Sequence, residues 1–148
     1  MIRTIGLAHL NLNVSDIDAS VRFYRDLFGL EVLMEYEGPM GPHPKGRQVA
    51  LSTPGARDVL ALSEVPGVPV GPGGMSHFGF TLASNDDVDD AVAQVQRAGG
   101  KLLKRETSEH DGIVEDHAYV SDLDGYVIEL NAQRMLLSRK RQVGYGRS

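Results

Sequence analysis

The chain has 148 residues, of which 41% are hydrophobic, and a formal net charge of −5. This length supports one core, so we expect a single domain or two tightly fused half-domains. The acidic balance argues against a nucleic-acid partner, which needs clustered Lys and Arg, and the absence of cysteine excludes disulfides and thiolate catalysis. No apolar run approaches the ~20 residues of a membrane span, so we expect a cytoplasmic protein without a membrane partner.

Alternation of polar and apolar residues predicts a first strand over about residues 5–13, and one face of this strand is unusually polar. The polar face carries three side chains, His9, Asn11 and Asn13. The sequence then predicts a helix that is capped by Ser15 and ends at Gly29. Its apolar stripe indicates that the helix packs on the other, apolar face of the sheet.

Three strands are predicted to complete the first half. One runs from Leu30 to about Glu37. Residues 38–46 are too rich in Pro and Gly for regular structure, so they predict a long loop of the kind that covers a cleft. Residues 47–53 and 58–65 then predict a hairpin.

The same order of elements recurs in the second half. Residues 67–75, rich in Pro and Gly, predict a linker between a first module, 4–66, and a second, 76–132, with a tail over 133–148. The second module is predicted to contain a strand at 76–82, a helix ending at Gly99, and strands at about 101–106, 115–122 and 126–131. We therefore predict one domain of the α+β class, in which two βαβββ repeats form a curved eight-stranded mixed sheet with helices outside and a concave cleft.

A repeated segment places two histidines at equivalent points. Residues 6–12 recur as residues 74–80, which aligns His9 with His77, and Glu129 lies in the last predicted strand. Taken singly, each side chain fits a solvated polar sheet face. Together they fall on the face away from the large apolar side chains, and two imidazoles with one carboxylate are the donor set of an open divalent-metal site.

At these residues the chain resembles the vicinal oxygen chelate superfamily, which includes glyoxalase I, extradiol dioxygenases, methylmalonyl-CoA epimerases, fosfomycin-modifying transferases and metal-free bleomycin-binding proteins. The resemblance covers about residues 4–132 and rests on the two histidines and on the segments 23–30 and 122–130. It implies a small-molecule substrate in the cleft. It also implies a divalent metal held by three side chains, His9, His77 and Glu129.

The last strand of the first half separates members of the superfamily. Glyoxalase I-like proteins and epimerases usually supply a fourth ligand there, where this chain has Ala61. The resulting shell of two His and one carboxylate with open positions suits Fe(II) chemistry, although Mn, Zn or Ni also bind such ligands. A shifted register, or Glu64, would restore a fourth ligand.

A second pattern resembles that of extradiol ring-cleaving dioxygenases, in which a histidine and a tyrosine precede the carboxylate ligand. Here His110, Tyr119 and Glu129 stand in that order at similar spacing. A three-residue loop over 123–125 would place Tyr119 directly across from Glu129. The resemblance implies that Tyr119 holds a substrate oxygen and that His110 donates a proton, whereas His117 is a weaker candidate that shares the face of Tyr119.

These observations lead to a metal-dependent enzyme, with extradiol-type cleavage of a catechol-like molecule as the leading reaction. A glyoxalase-like lyase, an epimerase or a thiol transferase stays an alternative, because fosfomycin-type transferases also carry a tyrosine near the last ligand. A metal-free drug-binding protein is a further alternative, against which the His9, His77 and Glu129 set argues. We also expect a homodimer, because curved sheets of this type expose edge strands and because residues 135–137 form an apolar segment.

Overall fold

The computed structural model describes residues 1–4, 6–84, 87–110 and 112–135. Over these residues the first module contains β1 (Leu10–Asn13), α1 (Ile17–Phe28), β2 (Glu31–Met40), β3 (His43–Ser52) and β4 (Leu60–Glu64). The second contains β5 (Phe78–Thr81), α2 (Asp87–Arg97), β6 (Lys101–His110), β7 (Ile113–Ser121) and β8 (Val127–Met135). Neither described helix is long and apolar enough to cross a bilayer. The tail beyond residue 135, which holds most of the apolar segment predicted to support dimerisation, lies outside the described residues.

The two modules have the same topology, which confirms the βαβββ repeat. The strand order is β1-β4-β3-β2 in one sheet and β5-β8-β7-β6 in the other, with the first pair of each sheet parallel and the rest antiparallel. Within the described residues the eight strands thus form two four-stranded sheets, not one continuous sheet. β1 and β5 each have a strand neighbour on one side only, so both are edge strands.

The sheets bury their apolar faces under the helices. In the first module, Leu12 and Leu62 pair across β1 and β4 and are 1% and 0% exposed, respectively. In the second, Ile128 and Leu130 of β8 are both 0% exposed. One apolar cluster joins these residues to buried side chains of both helices, so the polar faces lie on the side away from the helices, as the alternation predicts.

The N-cap of α1 is Asp16, so the prediction of Ser15 was wrong. The Asp16 carboxylate accepts a hydrogen bond of 2.9 Å from the backbone N–H of Ala19. The Ser15 hydroxyl instead donates to Asp124, in the turn between β7 and β8. The competing tertiary contact explains the one-residue difference, because either residue type caps a helix well.

The predicted loop over residues 38–46 was also wrong, because β2 and β3 continue through it as a hairpin. Met40 pairs with His43, and Gly41 at the turn has a φ of 58°. Pro39 is tolerated because β2 is an edge strand and its register shifts between Gly38 and Met40. Pro44 lies in the part of β3 beyond its pairing with β4, which begins at Arg47. The first strand is shorter than predicted and begins at Leu10.

Side chains from both modules meet between the helices and the β7–β8 turn. The Tyr24 hydroxyl donates to Asp122 at 2.6 Å in a buried contact, and the Tyr126 hydroxyl donates to the carbonyl oxygen of Asn13 at 2.8 Å. The rings of Phe28 and Phe80 stack with their centroids 4.3 Å apart. These contacts hold the two modules together within one chain.

Candidate metal centre

His77 and Glu129 come together on the polar face of the second sheet. His77 directly precedes β5, and the parallel pairing of β5 with β8 sets Gly79 opposite Glu129. A Cβ on Gly79 would lie 3.0 Å from the Glu129 carbonyl oxygen and 3.2 Å from its Cβ, so glycine keeps the space beside Glu129 open. The Nε2 atom of His77 lies 3.1 Å from Oε2 of Glu129.

Neighbouring side chains orient this pair. The Asn131 side-chain amide donates to Oε1 of Glu129 at 2.9 Å, and the Ser76 hydroxyl lies 3.0 Å from Nδ1 of His77. Each ligand candidate therefore has one polar atom held by a neighbour and one directed at the other candidate. Hydrogen bonds of this kind fix the ring and carboxylate orientation at metal sites.

Tyr119 lies beside the pair, as predicted. It faces Glu129 directly across β7 and β8, and its ring meets the His77 ring edge to face with the centroids 5.3 Å apart. The cause is the β7–β8 turn: Asp122 and Tyr126 bond across it, and Gly125 adopts a φ of 87°. A three-residue loop ending in a left-handed residue sets this register.

His117 has contacts near Tyr119 that were not predicted from the sequence. It lies two residues before Tyr119 on the same face, and its Nε2 donates to Oε2 of Glu106 at 3.0 Å. A hydrogen bond from Lys104, followed by the one from His117, lowers the pKa of Glu106, so Glu106 is an anion that only accepts. His117 Nε2 therefore carries a proton, and its Nδ1 is buried without a hydrogen-bond partner among the described residues. This contact was not predicted because it depends on the pairing of residues 106 and 117 across β6 and β7. The register of two strands cannot be read from the sequence of one strand.

His110 is not brought to this cluster within the chain. It is the last residue of β6 and pairs with Ile113 at the tip of the β6–β7 hairpin. Lys104, six residues earlier on β6, is the residue that pairs with Tyr119. Six residues of strand span about 20 Å, so the spacing that suggested a proton donor does not place His110 next to Tyr119.

His9 is exposed and directly precedes β1 on the first sheet, in the position equivalent to that of His77. Among the described residues, no group of three or more His, Cys, Asp or Glu side chains lies close enough to hold a metal ion. His9 therefore does not join His77 and Glu129 within one chain. Two of the three predicted ligands are adjacent, and the third lies on the other sheet.

Ala61 stands where the resemblance implies that some relatives supply a fourth ligand. Ala61 lies on the polar face of β4 between Asn11 and Ala50 and is 4% exposed. Glu64 has the opposite parity on β4, and its carboxylate accepts a hydrogen bond of 2.7 Å from the backbone N–H of Ile17 at the start of α1. Glu64 thus faces the helix and is not a substitute ligand.

The donor set fits a divalent metal. Two donor atoms that each bind one ion at about 2.1 Å, near a right angle, are about 3 Å apart, and the His77 and Glu129 atoms are 3.1 Å apart. The His77 side chain is 38% exposed and that of Glu129 is 20% exposed, so an ion reaches both from solvent. An imidazole and a carboxylate suit first-row divalent metals.

A family model described as the Glyoxalase/Bleomycin resistance protein/Dioxygenase superfamily matches residues 6–130. The chain belongs to this superfamily. The match includes the first module, the second as far as the start of β8, and all three predicted ligands. Superfamily membership accounts for the repeated topology but includes several reaction types.

Curated relatives in the superfamily carry different activities. The chain is 30% identical over 126 residues to the metallothiol transferase FosB of Staphylococcus epidermidis, covering 85% of this chain and 82% of that protein. It is 27% identical over 132 residues to a catechol-2,3-dioxygenase of Bacillus subtilis, covering 86% of this chain and 41% of the dioxygenase. An uncharacterised Pseudomonas aeruginosa protein is 33% identical over 97 residues, 63% of this chain and 65% of the relative. The chain thus spans less than two thirds of the last two.

Solved structures share the fold. A FosX variant of Listeria monocytogenes, solved with Mn(II) and 1S,2S-dihydroxypropylphosphonic acid, superposes with a TM-score of 0.65 at 18% identity. The match covers 86% of this chain and 92% of that one. At this identity the superposition shows the shared fold.

Proposed function

We propose that the protein is a divalent-metal-dependent enzyme of the extradiol type, which opens the ring of a catechol-like molecule. The observation that carries the proposal is the cluster of His77, Glu129 and Tyr119 on one polar face. Ala61 at the fourth-ligand position supports it, because a shell of three protein ligands leaves room for both adjacent oxygens of a diol.

The chain's residues have distinct roles in this proposal. His77 and Glu129, with His9, would hold the ion. When bound, Fe(II) would supply adjacent coordination positions for the diol and dioxygen. The Tyr119 phenol would hydrogen-bond a substrate oxygen, and the Glu106–His117 pair would fix an imidazole beside the Tyr119 ring, whose centroid lies 5.7 Å away.

Transfer of a thiol, as in FosB, is the second candidate. It is favoured by the match to FosB, which covers 82% of that protein against 41% of the dioxygenase. His110 lies at the hairpin tip and not next to Tyr119. One residue of the dioxygenase pattern is therefore absent from the cluster within the chain. Both reactions would use the same three proposed ligands, so the metal site does not distinguish them.

A substrate panel distinguishes the two reactions. Iron-loaded protein is mixed anaerobically with a series of catechols, and dioxygen is then admitted. Ring opening inserts both oxygen atoms and gives a yellow product that is followed by absorbance. In parallel, manganese-loaded protein is assayed with fosfomycin and a thiol, and with methylglyoxal hemithioacetal. We expect yellow product from a catechol, whereas turnover of another substrate with no catechol cleaved would replace the dioxygenase proposal.

Changing Tyr119 to Phe tests the role of the phenol. The substitution keeps the ring against His77 and removes only the hydroxyl, so metal content should stay at the wild-type level. Turnover should fall by about 100-fold, the size of one positioned acid–base or hydrogen-bonding group. Elemental analysis and steady-state kinetics measure the two effects. Parallel losses of metal and turnover would instead make Tyr119 part of the metal-binding structure.

The third ligand is proposed to come from a second copy of the chain. His9 and the pair of His77 and Glu129 lie on different sheets of one chain, and β1 and β5 are both edge strands. In a homodimer with two-fold symmetry, β1 of each copy would lie beside β5 of the other copy. This arrangement would form two equal sites and cover both edge strands. The predicted homodimer is thus also what completes the metal site.

Mixing two inactive variants tests this arrangement. His9→Ala and His77→Ala should each bind little metal alone. After dissociation and random reassociation of equal amounts, half of the dimers are mixed and each has one intact site, so metal per chain should recover to about one quarter of the wild-type value. Elemental analysis of the separated dimer measures this recovery. No recovery in a confirmed mixed dimer would place all three ligands in one chain.

A further inference from the structure

The polar face of the first sheet carries an open cavity, lined in part by Asn13, Tyr36 and His43, that the proposed chemistry does not use. Its volume is about 390 Å³, and it lies between this face, the tip of the β2–β3 hairpin and the linker. Among the residues that the structure describes, its lining contains no carboxylate, lysine or arginine. Its apolar walls include Met40, Val65 and Val68.

Two side-chain amides in this cavity are held in fixed orientations by a buried serine. Ser63 is 2% exposed, and its hydroxyl donates to Oδ1 of Asn11 at 2.9 Å while it accepts from Nε2 of Gln48 at 3.2 Å. A hydroxyl has one proton, so it accepts from one amide and donates to the other. Asn11 therefore presents its N–H groups to the cavity and Gln48 its carbonyl oxygen.

This pairing is independent of how the amides are assigned. Rotating both amides would reverse the direction of the two hydrogen bonds, and Gln48 would then present N–H groups and Asn11 a carbonyl oxygen. In either case these two amides together offer the cavity one donor and one acceptor. Among the described residues no hydrogen bond uses the outward-facing amide atoms of Asn11 and Gln48.

The two amides select by hydrogen bonding. A carboxylate would face the carbonyl oxygen of one amide with no proton to donate. A primary carboxamide carries both a donor and an acceptor, so it satisfies both amides.

We propose that this cavity binds an uncharged donor–acceptor group, such as a primary carboxamide on an aromatic ring. Asn11 lies two residues beyond His9, which directly precedes β1, so the two residues are about 7 Å apart along the chain. A ligand whose amide lies between Asn11 and Gln48 would reach His9 by extending back along β1, away from the apolar walls at the hairpin tip and the linker. The statement that this cavity selects one end of the metal site's substrate rests on the proposed function. The binding of an amide in the cavity does not depend on that function.

Metal-free protein provides the first test. The side-chain NH₂ resonances of Asn11 and Gln48 are assigned by their loss in Asn11→Leu and Gln48→Met and are followed while benzamide or benzoate is added. We expect benzamide to shift both resonances and to bind at least about tenfold more tightly than benzoate, because benzoate has no proton to donate to the amide carbonyl oxygen. The resonance of Gln94, which is bonded to Asp90 on α2, serves as an internal reference that stays in place. No shift of the two cavity resonances, or equal affinities, would overturn the proposal.

Zinc-loaded protein provides the second test, with 3,4-dihydroxybenzamide and 4-methylcatechol as probes of binding by calorimetry. Wild type and the control variant Gln94→Met should bind 3,4-dihydroxybenzamide about tenfold more tightly than 4-methylcatechol. Asn11→Leu and Gln48→Met should bind the two probes with equal affinity. If neither catechol binds while benzamide still does, the metal proposal fails and the cavity assignment stands. If both catechols bind to wild type with equal affinity, the cavity does not select the substrate and the inference is wrong.

Discussion

Changing His77 to Ala should lower the affinity for a divalent metal by at least about 100-fold. The imidazole supplies one of the two donor atoms that face each other 3.1 Å apart, and even residues that only orient a ligand are worth about 10- to 100-fold in metal affinity. Competition with a chromophoric chelator measures the affinity, and elemental analysis measures the ion that remains after dialysis.

The matched control is His110→Ala. It removes the same side chain from the hairpin tip, about 20 Å along the strand from the row of Tyr119. His110→Ala should retain the wild-type metal content. Equal metal content in wild type and both variants would show that the ion binds elsewhere, and a loss with His110→Ala alone would restore that residue to the site.

Changing Asp122 to Ala should give the largest loss of stability of any single polar substitution considered. One oxygen of Asp122 accepts from Tyr24 at 2.6 Å, and the other accepts from the backbone N–H groups of Asp124 and Tyr126, each at 2.9 Å. Removing the carboxylate leaves three donors without a partner at a side chain that is 5% exposed. We expect a loss of about 3 kcal/mol or more, which lowers the Tm by about 10 °C.

Two variants define the source of this loss. Tyr24→Phe removes one of the three hydrogen bonds and should cost about 1 to 2 kcal/mol. Asp26→Ala removes an aspartate whose side chain is 57% exposed and should change stability by less than about 0.5 kcal/mol. Thermal and urea unfolding measure all three. A loss with Asp122→Ala no larger than that with Asp26→Ala would mean that this contact does not hold the modules together.

The pH dependence of the same site has a defined sign. Burial raises the pKa of Asp122 above its ordinary 3.8, against the opposing effect of the hydrogen bonds from Tyr24 and the turn. The pKa of Asp122 is thus higher in the folded protein than in the unfolded chain. The stability that the protonated carboxyl contributes is therefore fully present below pH 3.8, and it is lost as the pH rises through the folded-state pKa. The stability of wild type relative to Asp122→Asn should therefore fall as the pH rises above 3.8. A relative stability that rises with pH there would contradict the assigned direction.

Burial also raises the pKa of Tyr24 well above its ordinary value, and the nearby charge of Asp122 adds to the increase. The phenol therefore keeps its proton through the pH range of these measurements. Tyr24 thus acts as a donor to Asp122 throughout, and the pH effect is assigned to the carboxyl group.

The local pattern of the sequence was enough to predict the repeat and the faces of the sheets. Alternation has a period of two in any strand, so His9 and Glu129 fell on polar faces before any partner strand was known. A three-residue turn sets its own register, which is why the pairing of Tyr119 with Glu129 was also predictable. The predicted loop over 38–46 failed because Pro and Gly break helices and central strands but are tolerated in an edge hairpin.

The sequence by itself determined which residue types lie on the polar face of each sheet, because side-chain direction follows from short-range periodicity. Only the tertiary structure decided which of them meet. The pairing of His117 with Glu106 depends on the register of two strands, and the separation of His9 from His77 depends on how the two modules pack against each other. Ser63 likewise orients Asn11 and Gln48 only because β1 and β3 lie on either side of β4. Contacts between residues far apart in the chain depend on the packing of the whole fold, which cannot be predicted from a local sequence pattern.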